Sequence, residues 1–428
     1  MTSDAGPIWV AQLELGVPFG LESVCDRAQL ECRQARVLVR LHGDPMGFVE
    51  LPEPREGLTA EDVRKVAWEQ LGVALRAHLD ADGISYSSML PSELLGPRTT
   101  CRRTSERGWR HPISVVVCTR DRPELLRGCL ESLARLRYPK FEVLVIDNAP
   151  SDDATRRCFV ETAGDDARFR YEREMRPGLS HARNCGLAGS AWSHVAFTDD
   201  DVLVDPRWLD GIAQGFARRA DVSCVTGLVP SACLDNAAQQ YFDRRVSWSA
   251  ALNAQVYAME SADASTPLFP FDAGSFGTGA NFAVDRDVVA RIGGFDAALG
   301  AGTRSRGSED LDMFVRVLRA GGALAREPSA IVWHRHRAGV RDLRRQMSDF
   351  GVALGAYLTK QLTDRETRHD LLRRVPGGAM HMLGLWRRAG ARQRGDLDLI
   401  LAELWGVARG PFAYRGARRA AVCEQTSV

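Results

Sequence analysis

Between residues 113 and 333 the chain alternates short β-branched runs with stretches whose apolar residues recur every three or four positions. Residues 113–118, Ile-Ser-Val-Val-Val-Cys, form one such run, the pattern of a strand covered on both faces of a parallel sheet. Pro123 stands where a helix would begin, and Leu126, Cys129, Leu130 and Leu133 give that helix one apolar face. Residues 141–146 predict a second strand and 194–197 a later one, with a helix between them. Strands alternating with helices predict an α/β domain with a mainly parallel sheet, whose ligands bind beyond the carboxyl ends of the strands.

A different rhythm comes first. Residues 36–41 alternate apolar and basic side chains, Gly43-Asp44-Pro45 supplies turn chemistry, and residues 46–51 predict the returning strand. Thr59, with Asp62 three residues on, opens a helix in which Val63, Ala67, Leu71, Leu75 and Leu79 share a face. Together they predict a small N-terminal α+β module over residues 1–98, without a catalytic motif. An arginine-rich stretch flanked by Pro97 and Pro112 predicts a linker over 99–112. The main domain is expected over 113–337 and a helical region over 338–428, where residues 340–358 and 396–407 have helical spacing and Trp386 and Trp405 stand among arginines.

Composition narrows the classes. At 428 residues more than one domain is expected. Balanced charge, 56 Lys+Arg against 55 Asp+Glu, excludes a chain built mainly to neutralise nucleic acid. The charge is nonetheless uneven, because residues 337–428 hold 17 basic and 9 acidic side chains, a net of +8. Basic amphipathic helices fit two readings: contact with an anionic membrane surface, or packing on the parent domain with charge outward. No apolar run approaches the ~20 residues of a spanning helix, and residues 1–10 lack a signal-peptide pattern. A cytoplasmic protein, at most peripheral to a membrane, is the expectation. Ten scattered cysteines without a Cys-x-x-Cys pair predict buried free thiols instead of zinc or disulfide frameworks.

Three segments carry candidate chemistry. The apolar residues 195–197 run through Thr198 into Asp199-Asp200-Asp201. Residues i and i+2 of an extended chain point the same way, so Asp199 and Asp201 share a face, and paired carboxylates suit a hard divalent cation bridging to substrate phosphate. A solvated acidic loop is the other reading. Next, Gly307-Ser308-Glu309-Asp310 precedes the helical run Leu311, Phe314, Val315 and Leu318. Ser308 then caps the helix and the two acids complement its dipole, or one of them is a general base. Finally, residues 330–333 read as a strand entering His334-Arg335-His336-Arg337. His334 is placed to reach the same cleft, His336 reads as structural, and the arginines either meet phosphate or are solvated.

In their order these segments resemble the family 2 glycosyltransferases of the GT-A fold, over about residues 113–337. The elements are Val117-Cys-Thr-Arg-Asp-Arg-Pro123, Val145-Ile-Asp-Asn-Ala149, Arg176-Pro-Gly, Ala182-Arg-Asn-Cys-Gly186, Asp199-Asp-Asp201, Gly279-Ala-Asn281, Gly293-Gly-Phe-Asp296, Glu309-Asp310 and His334. The resemblance implies an α/β fold of GT-A type, a mainly parallel sheet flanked by helices, and an inverting transfer from a nucleotide-diphosphate sugar to an acceptor hydroxyl. By the same resemblance Thr119, Arg120, Asp121, Asp147 and Arg183 contact the nucleotide, with Asp147 reading the base. Asp199 and Asp201, with His334, would hold Mg²⁺ or Mn²⁺ on the diphosphate, and Asp310 would be the base. Cys118 and Arg120 stand where the family more commonly has proline and tyrosine, so the motif does not fix the nucleobase; a UDP-sugar is the donor expected first. The acceptor is not legible, although the polar segment 234–276 lies where acceptor loops are expected.

Two other classes share parts of this pattern. A sugar nucleotidyltransferase would want a Gly-rich loop with a phosphate-binding lysine after the first strand, and residues 118–123 have neither. A non-catalytic sugar-nucleotide or glycan-binding protein should lack the base or a metal carboxylate, yet Asp199, Asp201 and Asp310 are all present.

Overall fold

The computed structural model describes residues 6–16, 20–24, 31–52, 57–84, 111–260, 266–388 and 397–426, without the side chains of 378–388 and 424–426. The linker expected over 99–112 and Trp386 therefore lie almost wholly outside the described structure.

The N-terminal module is a four-stranded sheet in the order β2-β1-β3-β4. Its strands are β1 (Ile8–Glu14), β2 (Glu22–Ser23), β3 (Gln34–Leu41) and β4 (Asp44–Pro52), and helix α1 (Ala60–Ala81) covers one face. Alternation along β3 sorts its side chains. Val37, Val39 and Leu41 pack with Val63, Ala67, Leu75 and Leu79 of the helix. On the other face Leu38 joins Leu228, Leu234, Ile331 and Trp333 of the main domain, Arg36 reaches Asp243 and Arg40 reaches Asp205, each at 2.5 Å. The apolar and basic alternation of residues 36–41 thus encodes a sheet with a helix on one side and a domain on the other. Helix α1 opens with a reciprocal capping box: Asp62 N–H donates to Thr59 Oγ1 at 3.2 Å, and Thr59 N–H donates to Asp62 Oδ2 at 2.9 Å.

In the main domain the elements run β5 (Ile113–Thr119), α2 (Pro123–Ala134), β6 (Phe141–Asn148), α3 (Ala154–Ala163), β7 (Phe169–Glu174), α4 (Leu179–Gly189), β8 (His194–Asp199), β9 (Val202–Val204) and α5 (Trp208–Ala217). Then come β10 (Val222–Leu228), α6 (Ala237–Val246), β11 (Gln255–Tyr257), β12 (Asn281–Asp285), α7 (Arg286–Arg291), α8 (Glu309–Arg319) and β13 (Ala323–His334). The strands form one sheet in the order β11-β13-β10-β12-β8-β5-β6-β7, with β9 on β13. Strands β5, β6, β7, β8, β10 and β13 run one way, and β9, β11 and β12 run against them. Ile113, Val115 and Val117 pack beneath α2 and α5, while Val116 faces Ala182 and Phe314 on the opposite layer. Burial on both faces explains why the β5 run shows no alternation.

Strand β13 is longer than the expected 330–333. Its first half carries Glu327, fully buried and held by Arg218 Nε at 2.7 Å, so a charged residue sits where periodicity looks for an apolar one. All eight described cysteines are free; Cys32, Cys129, Cys158 and Cys224 are buried, whereas Cys423 is exposed, against the expectation for that residue.

The C-terminal region is helical: α9 (Val340–Thr363), α10 (Arg365–Arg388) and α11 (Leu397–Thr426). Helices α9 and α11 meet backbone to backbone. A Cβ on Gly351 would lie 2.0 Å from Glu403 O, and one on Gly355 would lie 2.3 Å from Val407 O. Packing on the parent domain is therefore realised here, with Lys360 of α9 bridging Asp296 at 2.7 Å and Asp312 at 2.8 Å. Among the described residues no helix is long and apolar enough to cross a membrane.

Candidate active site

Strand β8 delivers Asp199 at its carboxyl end, and the chain turns there into β9. Ligand atoms of Asp199, Asp201 and His334 lie within 4.8 Å of one another. The intervening Asp200 points elsewhere, accepting from Thr119 Oγ1 at 2.7 Å and from Arg122 Nη1 at 3.1 Å. His334 ends β13 and pairs with Val202 of β9, which brings its Nε2 to 3.3 Å from Asp201 Oδ1.

Burial, then the charge of Asp201, pushes Asp199 up to about 7, and the same two causes raise Asp200 to about 6. For Asp201 burial acts upward too, but His334 and Arg122 outweigh it and hold the carboxyl at about 2. His334 rises above its ordinary value because Asp201 and its neighbours overcome the opposing effect of burial. Among the described residues Asp201 Oδ1 is buried without a hydrogen bond, His334 Nε2 standing 3.3 Å away. Crowded carboxylates with an orphaned oxygen beside an imidazole are the donor set that a divalent cation relieves, so these residues fit the metal that the resemblance implies.

Behind His334 stands a second histidine. His334 Nδ1 is 3.0 Å from His336 Nδ1, His336 Nε2 is 2.6 Å from Ser231 Oγ, and Ser231 Oγ donates to Asp243 Oδ1 at 2.5 Å. Burial, then the neighbouring His334, lowers His336 to about 3, which keeps it neutral. Neutral His336 protonated on Nε2 satisfies every contact: it accepts from His334 Nδ1–H and donates to Ser231. His334 Nε2 is thereby aimed at the acidic pair.

The other acidic segment is arranged differently from its sequence reading. Ser308 occupies the N-cap of α8 in the left-handed region, φ 68°, and its side chain makes no cap hydrogen bond. Glu309 is buried and accepts from Arg183 Nη1 at 2.7 Å; burial first, moderated by Arg183, pushes it up to about 7. Asp310 remains half-buried and accepts from the Gly279 N–H at 2.6 Å. Gly279 also takes Arg183 Nη2 on its carbonyl at 3.0 Å, and a Cβ there would meet Arg183 Nη2 at 2.9 Å and Asp310 Oδ2 at 3.0 Å. Arg183, whose Nη2 is also 3.7 Å from Asp199, stacks over Phe197, Phe282 and Phe295.

A cleft of about 630 Å³ brings together Thr119, Arg120, Arg183, Asp199, Asp201, Asp310 and His334. Arg335 and Arg337 line it as well. Asp121 and Asp147 are not in its wall. Asp121 accepts from Ser151 N–H at 2.9 Å. Asp147 is buried at the end of β6 and accepts from Tyr171 Oη at 2.5 Å; its Oδ1 lacks a partner, and burial raises its pKa. Trp248 and Gly274, from the uninterpreted segment 234–276, reach the cleft, as do Gln346 and Phe350 of α9 and Glu403 of α11. The C-terminal helices thus wall the site, which their spacing gave no signal for; Arg122 could have been noticed within the motif that supplied its neighbours.

Comparison with known proteins assigns the family. The family model "Glycosyltransferase like family 2" matches residues 111–348, and the chain belongs to that family. The pre-mycofactocin glycosyltransferase of Mycobacterium tuberculosis is 26% identical over 314 residues, 72% of this chain and 58% of that one. The succinoglycan biosynthesis protein ExoM of Rhizobium meliloti is 31% identical over 228 residues, 51% of this chain and 65% of its own. The chain spans less than two thirds of the length of these relatives. Among solved structures, the mannosyltransferase PcManGT from Pyrobaculum calidifontis, in complex with GDP-Man and Mn²⁺, aligns with 83% of this chain and 85% of its own at 18% identity and a TM-score of 0.45.

Proposed function

We propose that this protein is an inverting, divalent-metal-dependent glycosyltransferase that moves a sugar from a nucleotide-diphosphate donor to an acceptor hydroxyl. One observation carries the reading: Asp199, Asp201 and His334 converge in the same cleft as Asp310, with Arg183 close to both acidic groups. Mg²⁺ or Mn²⁺ held by Asp199, Asp201 and His334 would neutralise charge on the leaving diphosphate. Arg122, Arg335 and Arg337 add fixed positive charge on that side. Asp310 takes the proton of the acceptor hydroxyl as its oxygen bonds to the anomeric carbon and the bond to the diphosphate breaks. A single displacement inverts the configuration. The Gly279 N–H holds the Asp310 carboxylate in place, and Glu309 neutralises Arg183, which acts as a positioning residue between the two acidic groups.

Thr119 and Arg120 of the cleft wall are proposed to receive the nucleotide, while Asp121 and Asp147, which the resemblance assigns to it, stand outside that wall; a UDP-sugar is the first donor to test. Incubation with a panel of nucleotide sugars, with and without Mn²⁺, followed by mass spectrometry, tests this. Metal-dependent release of nucleoside diphosphate supports the reading, and no release or binding of any donor contradicts it.

For the C-terminal region, peripheral contact with anionic lipid is proposed on one observation: Leu397, Leu401, Leu404, Trp405 and Phe412 of α11 are exposed by 58–74%. Binding to anionic vesicles should then weaken as salt rises. Binding that ignores salt, or none, leaves α11 as a packed helix alone.

A further inference from the structure

Away from the cleft, the N-terminal module brings three ligand atoms to one point, and we propose that His42, His78 and Asp82 form a zinc site. His42 occupies the two-residue turn between β3 and β4 with φ 55°, while His78 and Asp82 stand one turn apart at the carboxyl end of α1. His42 Nδ1 is 3.0 Å from His78 Nε2 and 3.1 Å from Asp82 Oδ2, and His78 Nε2 is 3.3 Å from the same oxygen. Tetrahedral zinc with bonds of about 2.0–2.2 Å spaces its nitrogen and oxygen ligands roughly 3.3 Å apart. The three side chains are only 4%, 12% and 4% exposed.

Protons alone do not satisfy this triangle. With a hydrogen on only one of the two nitrogens, the other nitrogen and ionised Asp82 face each other lone pair to lone pair. With hydrogens on both nitrogens, the two N–H groups confront each other at 3.0 Å. A cation at the centre satisfies all three contacts. Asp44 supports the same assignment: its Oδ2 lies 3.5 Å from His78 Nδ1, the side from which a carboxylate holds the proton on a ligand histidine's second nitrogen and frees the first. Among the described residues His42 Nε2 has no hydrogen-bond partner, and the ring meets the other two ligands through Nδ1.

Two imidazoles and one carboxylate select zinc over magnesium or calcium, which prefer oxygen, and the negative end of the α1 dipole adds attraction. Cysteine spacing pointed away from zinc; this set uses none. Bound metal would clip the β3–β4 turn to α1. The same turn offers the Gly43 carbonyl to Arg40 at 3.1 Å, and Arg40 pairs with Asp205 just beyond β9.

The test uses the full chain carrying Asp199→Ala and Asp201→Ala, which removes two of the cleft's three candidate ligands. The protein is stripped with a chelator, then titrated with Co²⁺ while the visible d–d bands are followed, and separately dialysed against Zn²⁺ in excess Mg²⁺ before elemental analysis. The expected result is a tetrahedral cobalt spectrum and one zinc per chain. Adding His42→Asn or Asp82→Asn should weaken binding at least tenfold and abolish the rise in melting midpoint with zinc. Absence of the cobalt bands and of retained zinc in the starting protein overturns the site, whether or not the further variants fold. Unchanged binding in both folded variants overturns it as well.

Discussion

His336 presents its Nδ1 to the Nδ1 of His334 at 3.0 Å, and so decides which nitrogen of His334 faces Asp201. His336→Phe keeps an aromatic body beside Phe242 and Trp248 but removes the acceptor. Partners of this kind typically change metal affinity about 10–100-fold. The metal concentration for half-maximal activity should rise by that order, with maximal rate at saturating metal less affected. An unchanged metal requirement would reduce His336 to core packing.

Asp310→Asn retains shape and an oxygen for the Gly279 N–H, but removes the proton acceptor. Transfer should fall by about 10²–10⁴ with donor affinity little altered. Were Asp310 only an acid in the first turn of α8, the substitution should cost ~0.3–1 kcal/mol of stability and leave turnover near wild type. Turnover and unfolding midpoint on one preparation separate the cases.

The sequence made this pair of sites visible because both lie where a regular element ends: β8 runs into Asp199, and α8 begins at Glu309. Strands β5, β6 and β8 were equally legible, since burial on both faces leaves uninterrupted apolar runs, whereas β7, exposed at Arg170, Glu172 and Arg173, shows no such run. What stayed hidden has no local pattern. His336 lies 105 residues from Ser231, and it meets Ser231 and Asp243 only through folding. The Ser308 side chain leaves α8 uncapped because its backbone is left-handed, which residue type does not reveal. The glycines of α9 and α11 look like poor helix formers until their opposing backbones are seen in contact.

That contact is itself testable. A Cβ on Gly410 would lie 2.4 Å from the Gly355 backbone, so Gly410→Val must separate α9 from α11. Overpacking of this type costs about 1–3 kcal/mol, and a lowered melting midpoint is expected. Activity should fall with it, because Glu403 of α11 and Phe350 of α9 both line the cleft. Full stability in this variant would contradict the packing.

Asp296 gives a pH signature. Burial alone would raise its pKa, but the Lys360 charge and hydrogen bond, with the Ala298 N–H, hold it below the ordinary 3.8. The unfolded chain therefore takes up this proton first. The stabilisation is complete above the unfolded value and is lost as pH falls through the lower folded one. Asp296→Asn should reduce the acid sensitivity of the unfolding free energy below about pH 4, measured by denaturant titration across pH. An unaltered acid limb would mean that Lys360 is satisfied by Asp312 alone.

Asp199, Asp201 and His334 are proposed to hold the metal on which donor binding depends. Calorimetric titration of UDP and GDP into the wild-type protein and into Asp201→Ala, each with and without Mn²⁺, tests it most directly. Wild-type binding to at least one of them is expected to need the metal. Asp201→Ala is expected to lose this metal-dependent part while remaining folded, because the pairing it gives up with His334 and Arg122 is set against the relief of its charge on Asp199 and Asp200. Metal-dependent binding of unchanged strength in Asp201→Ala would contradict it.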